Sequence, residues 1–200
     1  MERFSEEVLA HAVQALSPKA RLAFALSCGE RLFPNYVAFL RENAWGNAAP
    51  LRAALDTGWE MLDDRTVSLA DRRALMERVE AEAPNTEDFD TILVSSALDA
   101  ATAASLVLRL LDDGSPSTVV AIAALCRDTV DMFVQDREAL EPSQSDFEER
   151  IGNHPLMQRE LQRQATDINE LSEFGGTTME VERIRQKWRS PARSNIDQIA

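Results

Sequence analysis

The stretch from about Glu87 to Leu111 constrains the fold more than any other part of the chain. Its middle, Ser95-Ser96-Ala97-Leu98-Asp99-Ala100-Ala101-Thr102-Ala103-Ala104-Ser105, carries small side chains on several faces at once. Small residues let neighbouring backbones approach closely, so the pattern predicts a central helix packed on more than one side. Pro84-Asn85-Thr86 breaks the chain before it and Asp112-Asp113-Gly114-Ser115-Pro116 turns it afterwards. Ser117 then starts a second apolar helix, to about residue 135, through Val119, Ile122, Leu125, Cys126, Val130 and Phe133. The short connection predicts an antiparallel pair, 87–111 against 117–135.

Helix signals recur on both sides of this pair, and no segment shows the period-2 alternation with turn punctuation that marks a sheet. A first helix is expected over about 5–16, capped by Ser5, with the stripe Val8, Leu9, Ala12, Val13 and Leu16. Ser17-Pro18 opens a second through Leu22, Ala25, Leu26, Gly29 and Leu32, which Pro34 is expected to interrupt, opening a third through Tyr36, Val37, Phe39 and Leu40. Pro50 opens the helix of Leu51, Leu55, Trp59 and Leu62, and Ser68 caps a charged helix over 69–81. Pro155 opens another, with Leu156, Leu161, Ile168 and Leu171, and a last one from about Thr178 carries Val181, Ile184 and Trp188 before Ser190-Pro191 ends it. The expected fold is all-α. A single compact bundle of about eight or nine helices over 1–200 contains 136–155 as an exposed connection.

Charge narrows the functions. The chain has 34 acidic and 21 basic side chains, a net charge of -13. Such a surface repels a phosphate backbone and favours basic partners, so nucleic acid is not the expected ligand. Residues 177–200 are the exception at net +2, a basic end expected to pair with the acidic body. The first residues lack a signal peptide's basic and apolar regions, and the longest uncharged run, 13 residues from Gly114 to Cys126, is too short to span a bilayer. Cys28 and Cys126 lie in apolar helical stretches, the usage of buried free thiols. A cytoplasmic location without membrane contact is the expectation.

Few residues carry candidate chemistry. Asp99 shares a helical stripe with Ile92, Ser95, Ser96, Thr102, Ala103, Leu106 and Leu110, the face expected to point into the bundle. A carboxylate there needs a cation or hydrogen-bond donors, and Arg31 is the expected partner. Structural pairing and an acid/base or ligand-binding role both fit such a residue. His11 and His154 are the only histidines, with no Glu-x-x-His pair or Cys-x-x-Cys, so no transition-metal site is expected. Nucleophile elbows, phosphate loops and dinucleotide fingerprints are missing from the sequence as well. The acids Glu87, Asp88 and Asp90 suit a helix N-terminus.

Three blocks, in order and at matching spacing, resemble the YjaG-like family of bacterial proteins, a domain of unknown function. They are Cys28-Gly29-Glu30-Arg31-Leu32-Phe33-Pro34-Asn35-Tyr36 with Gly58-Trp59-Glu60-Met61-Leu62, then Ala83-Pro84-Asn85-Thr86-Glu87-Asp88-Phe89-Asp90 with Ala97-Leu98-Asp99-Ala100, and finally Ser194-Asn195-Ile196. The resemblance implies a compact helical domain and supplies no reaction, substrate or cofactor. Its polar and amphipathic residues, Glu30, Arg31, Asn35, Tyr36, Trp59, Glu60, Asp90 and Asp99, are the candidate set. They read either as an interhelical polar network, with caps at Asn35 and Asp90, or as the lining of a small-molecule or peptide pocket. The leading functional expectation is a non-enzymatic binding or protein-interaction module without cofactor or metal, and a homodimer on the frequency of symmetric oligomers. The alternative is a hydrolase or transferase using Glu30, Glu60 and Asp99, with Arg31 on an anionic group and an optional divalent ion.

Overall fold

The computed structural model describes residues 6–189 and 194–196; the expected cap at Ser5 and stop at Ser190-Pro191 lie outside them. Among the described residues every regular element is helical. In chain order they are α1 Glu6–Ala15, α2 Pro18–Asn43, α3 Ala48–Leu62, α4 Leu69–Glu80, a 3-10 turn Thr86–Asp88, α5 Leu93–Asp113, α6 Pro116–Arg137, α7 Phe147–Asn153, α8 Pro155–Leu171 and α9 Thr178–Trp188.

The caps follow their residue types. Ser17, Asn47 and Ser68 each accept a backbone N–H of the first turn, and Thr177 with Glu180 forms a reciprocal capping box. His154 caps α8 through Nδ1, 3.2 Å from the Leu156 N–H. Gly114, at φ 59, makes the left-handed turn between α5 and α6.

Two boundaries differ from the sequence expectation. Pro34 does not end a helix: α2 runs on for 26 residues with Pro34 inside it. A proline there forfeits one backbone bond and crowds the Glu30 carbonyl, at a cost of about 3 kcal/mol. Burial of Tyr36 and Phe39 just beyond it offsets that cost, since large apolar side chains contribute about 1.5–3 kcal/mol each. The long helix expected from Glu87 begins only at Leu93. Asn85 caps a separate 3-10 turn, and extended Phe89 drops into an aromatic cluster, its ring 4.9 Å from Phe39 and 5.2 Å from Trp45. The Thr91 hydroxyl then accepts the Leu93 N–H at 3.3 Å.

At the centre, α5 buries Ala97, Ala100, Ala101, Ala103 and Ala104, as its small residues predict. Its most extensive packing is against α2, with α6 and α3 on other sides. The α5–α6 pair is antiparallel: Thr118 meets Asp113 near the turn and Thr129 meets Asp99 about three to four turns farther along. Glycines mark close approaches. A Cβ on Gly58 would stand 2.7 Å from Leu26 and 3.1 Å from Val107, and one on Gly29 would stand 2.6 Å from Leu55. By length and composition α5 is apolar enough to cross a membrane, which the count of uncharged residues missed because Asp99 interrupts the run. Of its most apolar window, 61% is buried inside the bundle, as befits a core helix.

Candidate functional site

Glu30 and Arg31, neighbours on α2, head two separate buried clusters. The Glu30 carboxylate accepts from both terminal nitrogens of Arg52 at 2.8 and 2.6 Å, from the Trp59 indole N–H at 2.7 Å and from Arg189 at 3.4 Å. Trp59 in turn packs against Trp188, with ring centroids 6.2 Å apart. One carboxylate thereby ties α2 to α3 and to the end of α9.

Arg31 does not meet Asp99. Its guanidinium donates to Asp167 at 2.6 Å and to the Cys28 sulfur at 3.1 Å, and lies 3.5 Å from Glu160. Gln164 donates to Glu160 at 2.9 Å and to the Ala123 carbonyl at 3.0 Å. All these side chains are buried. Burial alone would pull the arginine pKa down, but Glu160 leads a group of neighbours that hold it well above its ordinary value. Beside it, burial pushes the Cys126 thiol well up, with Cys28 reinforcing the shift.

Asn35 lies inside α2 rather than capping a helix, because α2 continues through Pro34. Its amide donates to the Asn195 side chain at 2.9 Å and its oxygen accepts from Ser194 at 2.8 Å. Asn195 donates to the Cys126 carbonyl at 2.8 Å, while Arg159 and Arg163 donate to the carbonyls of Asn195 and Ser194 at 2.9 and 3.1 Å. Tyr36, one residue on, donates to the Glu82 carbonyl at 2.9 Å. Its pKa is pushed up to about 12, first by burial and then by the Glu82 carboxylate, against a backbone hydrogen bond at Asn47.

The remaining candidates stand apart from these clusters. Glu60 is partly exposed, 3.8 Å from Arg65. Asp90 is exposed and caps no helix, since Thr91 and Ile92 occupy the start of α5. Asp99 is half-buried and accepts from the Thr129 hydroxyl at 2.6 Å. Its pKa is raised to about 6, mainly by burial, with Asp128 adding to the rise and Thr129 opposing it. Glu30, Glu60 and Asp99 therefore have separate partners and share no hydrogen bond. Among the described residues no group of three or more His, Cys, Asp or Glu side chains could hold a metal ion.

Accessible space lies elsewhere. A groove of 590 Å³ between α4 and α5 is lined by Arg73, Met76, Glu80, Ala101, Leu106 and Arg109, among others. Glu80 accepts from Ser105 at 3.1 Å, and Asp112 at the far end accepts from Arg72 at 2.9 Å.

The family model described as protein of unknown function, DUF416, matches residues 9–197. The chain belongs to the DUF416 family. YjaG of Escherichia coli K12, an uncharacterized protein, is 26% identical over 186 residues, 92% of each chain. The crystal structure of a DUF416 family protein from Shewanella baltica OS155 superposes with a TM-score of 0.85 at 24% identity, covering 94% of this chain and 96% of that one. That likeness shows a shared fold.

Within this DUF416 chain, sequence reasoning missed the partners of its own candidates. Glu160, Gln164, Asp167 and Ile168 sit at helical spacing between Met157 and Leu171, all buried. Polar residues on the apolar stripe of α8 were the available signal. Arg52 carried none, because an arginine on a helix beside acids reads as a solvated residue until a neighbouring helix covers it, whereas Arg189 belongs to the basic end expected to pair with the acidic body and does so at Glu30.

Proposed function

We propose that this chain is a bacterial, cytoplasmic, non-enzymatic interaction module that docks a short amphipathic helix of a partner protein in the α4–α5 groove. The groove's charge layout carries the reading. Arg73 on α4 and Arg109 on α5, the latter 3.4 Å from Asp113, line the groove together with Glu80 at the end of α4, which meets Ser105, and with the apolar Met76, Ala101 and Leu106. Asp112, which also lines it, is already engaged by Arg72. A helix with an acidic N-terminal turn and one apolar face complements this layout, the helix-in-groove mode of recognition. The lining on α5 runs from Ala101 to Asp112, about 16 Å at 1.5 Å per residue, room for about three turns. The buried clusters support the same reading from the other side: the acceptor sites of Glu30 are taken by Arg52, Trp59 and Arg189, so this carboxylate serves packing.

A photo-crosslinking amino acid at Thr102, in the groove, tests the reading in cells against the same probe at Met132, which is exposed on α6. The expected result is a discrete adduct from position 102 that Arg73→Glu with Arg109→Glu removes. Identical adducts from both positions, or adducts indifferent to the double substitution, would overturn it.

A further inference from the structure

Ser194, Asn195 and Ile196 are held as a bound peptide is held. All three are buried, Asn195 and Ile196 at 0% exposure. No regular element includes them, so no helix or strand ladder places them there. What places them is side chains from two helices and one buried main-chain carbonyl of a third. Asn35 of α2 reads both the Asn195 amide and the Ser194 hydroxyl, and the Cys126 carbonyl on α6 takes the Asn195 NH₂. Arg159 and Arg163, one turn apart on α8, donate to two successive main-chain carbonyls of the segment.

A carbonyl inside α6 ordinarily has its acceptor role filled by the helix. Here the Cys126 carbonyl also takes a side-chain donor from a segment 69 residues away. The arginines act on the backbone and so supply binding without regard to sequence. Asn35 and the Cys126 carbonyl supply selection, because together they match both ends of one carboxamide. An aspartate in place of Asn195 would offer no donor to that carbonyl. Ile196 adds an apolar anchor next to the polar reader, the usual division between selectivity and affinity in peptide sites.

We propose that the space between α2, α6 and α8 is a peptide-recognition groove for a Ser-Asn-aliphatic segment, filled in cis by residues 194–196 and able to take the same segment from a second copy of the chain. This is independent of the α4–α5 groove, which shares none of its residues. In cis the segment enjoys an effective concentration of about millimolar for a short connection, so a free peptide competes poorly with it. Release of the cis segment is therefore the step that opens the groove.

The probe is a fluorescently labelled peptide of residues 191–200, Pro-Ala-Arg-Ser-Asn-Ile-Asp-Gln-Ile-Ala. The receptor is the full chain carrying Asn195→Ala and Ile196→Ala, compared with wild type. Saturable binding is expected to the double variant and at least tenfold weaker binding to wild type, whose groove is occupied. The peptide with alanine in place of its asparagine should lose at least tenfold, and Arg73→Glu with Arg109→Glu should change nothing. Absence of saturable binding to a helical double variant at 1 mM peptide, or equal binding of a scrambled peptide, overturns the proposal. If the double variant melts early, added peptide should raise its melting temperature with concentration, and a melt indifferent to peptide overturns the proposal equally.

Discussion

Arg31 and Asp167, 136 residues apart in sequence, meet at 2.6 Å with each side chain 1% exposed. Breaking such a buried pair leaves an uncompensated charge and costs about 3–5 kcal/mol, more than the pair itself contributes. Asp167→Ala should therefore lower unfolding stability by about 3 kcal/mol or more, because Glu160 at 3.5 Å compensates only in part. Urea denaturation measures this as a lower midpoint at unchanged slope. A loss below about 1 kcal/mol would show that the arginine finds water or a new partner.

Asp99 gives a pH dependence with a definite sign. Its folded pKa of about 6 lies above the ordinary carboxylate value, so the folded state binds its proton more tightly than the unfolded chain does. The contribution is therefore favourable below about pH 4 and is lost as pH rises from about 4 to about 6. Asp99→Asn should raise stability by about 2–3 kcal/mol at pH 7.5 relative to its effect at pH 4, where folded wild type is already protonated. Thermal melts of both proteins across that range check it. A constant difference between them would contradict the role of Asp99.

Gly58 and Gly152 should respond oppositely to alanine. A Cβ at Gly58 meets Leu26 and Val107, both fully buried, whereas one at Gly152 meets nothing within 4 Å. Overpacking costs about 1–3 kcal/mol and outweighs the gain in helix propensity of about 1 kcal/mol, so Gly58→Ala should destabilise by about 1 kcal/mol. Gly152→Ala, inside α7, should stabilise by about 0.5 kcal/mol. Calorimetric melting temperatures moving in the same direction would contradict this.

Pro34→Ala restores a backbone donor opposite the Glu30 carbonyl in a helix that already continues through the proline. The gain is limited by surroundings shaped to the proline and by the freer unfolded chain, leaving about 0.5–1 kcal/mol of added stability. Chemical denaturation reads it directly, and a loss of stability would mean that the distortion at Pro34 is required by the packing of Asn35 and Tyr36.

How much of this was legible in the sequence varies by residue. The central position of α5 followed from its alanines and serines, because small side chains leave one physical option, close packing. The run through Pro34 was not legible, since local chemistry argues for a break and only the burial of Tyr36 and Phe39 overrides it. Glu30 and Arg31 stood out by type and by family resemblance, yet their partners Arg52, Asp167 and Glu160 come from other helices. Pairing at separations of 22 to 136 residues depends on how helices dock, which periodicity does not encode. Asp99 was expected to meet Arg31 because a buried carboxylate needs a cation; Arg31 is instead taken by Asp167 and Glu160 of α8, and Asp99 by the Thr129 hydroxyl.

Fluorescence anisotropy with an 11-residue probe, about three turns long, measures the proposed docking of a helix in the α4–α5 groove. The probe carries glutamates in its first turn, leucines along one face and lysines in its last turn. Wild type should bind it with a Kd of about 100 μM or tighter, and Arg73→Glu with Arg109→Glu should weaken binding at least tenfold, about 1.4 kcal/mol, with melting temperature unchanged. Equal affinity of the two proteins for the probe, or no saturable binding to wild type, would contradict the claim.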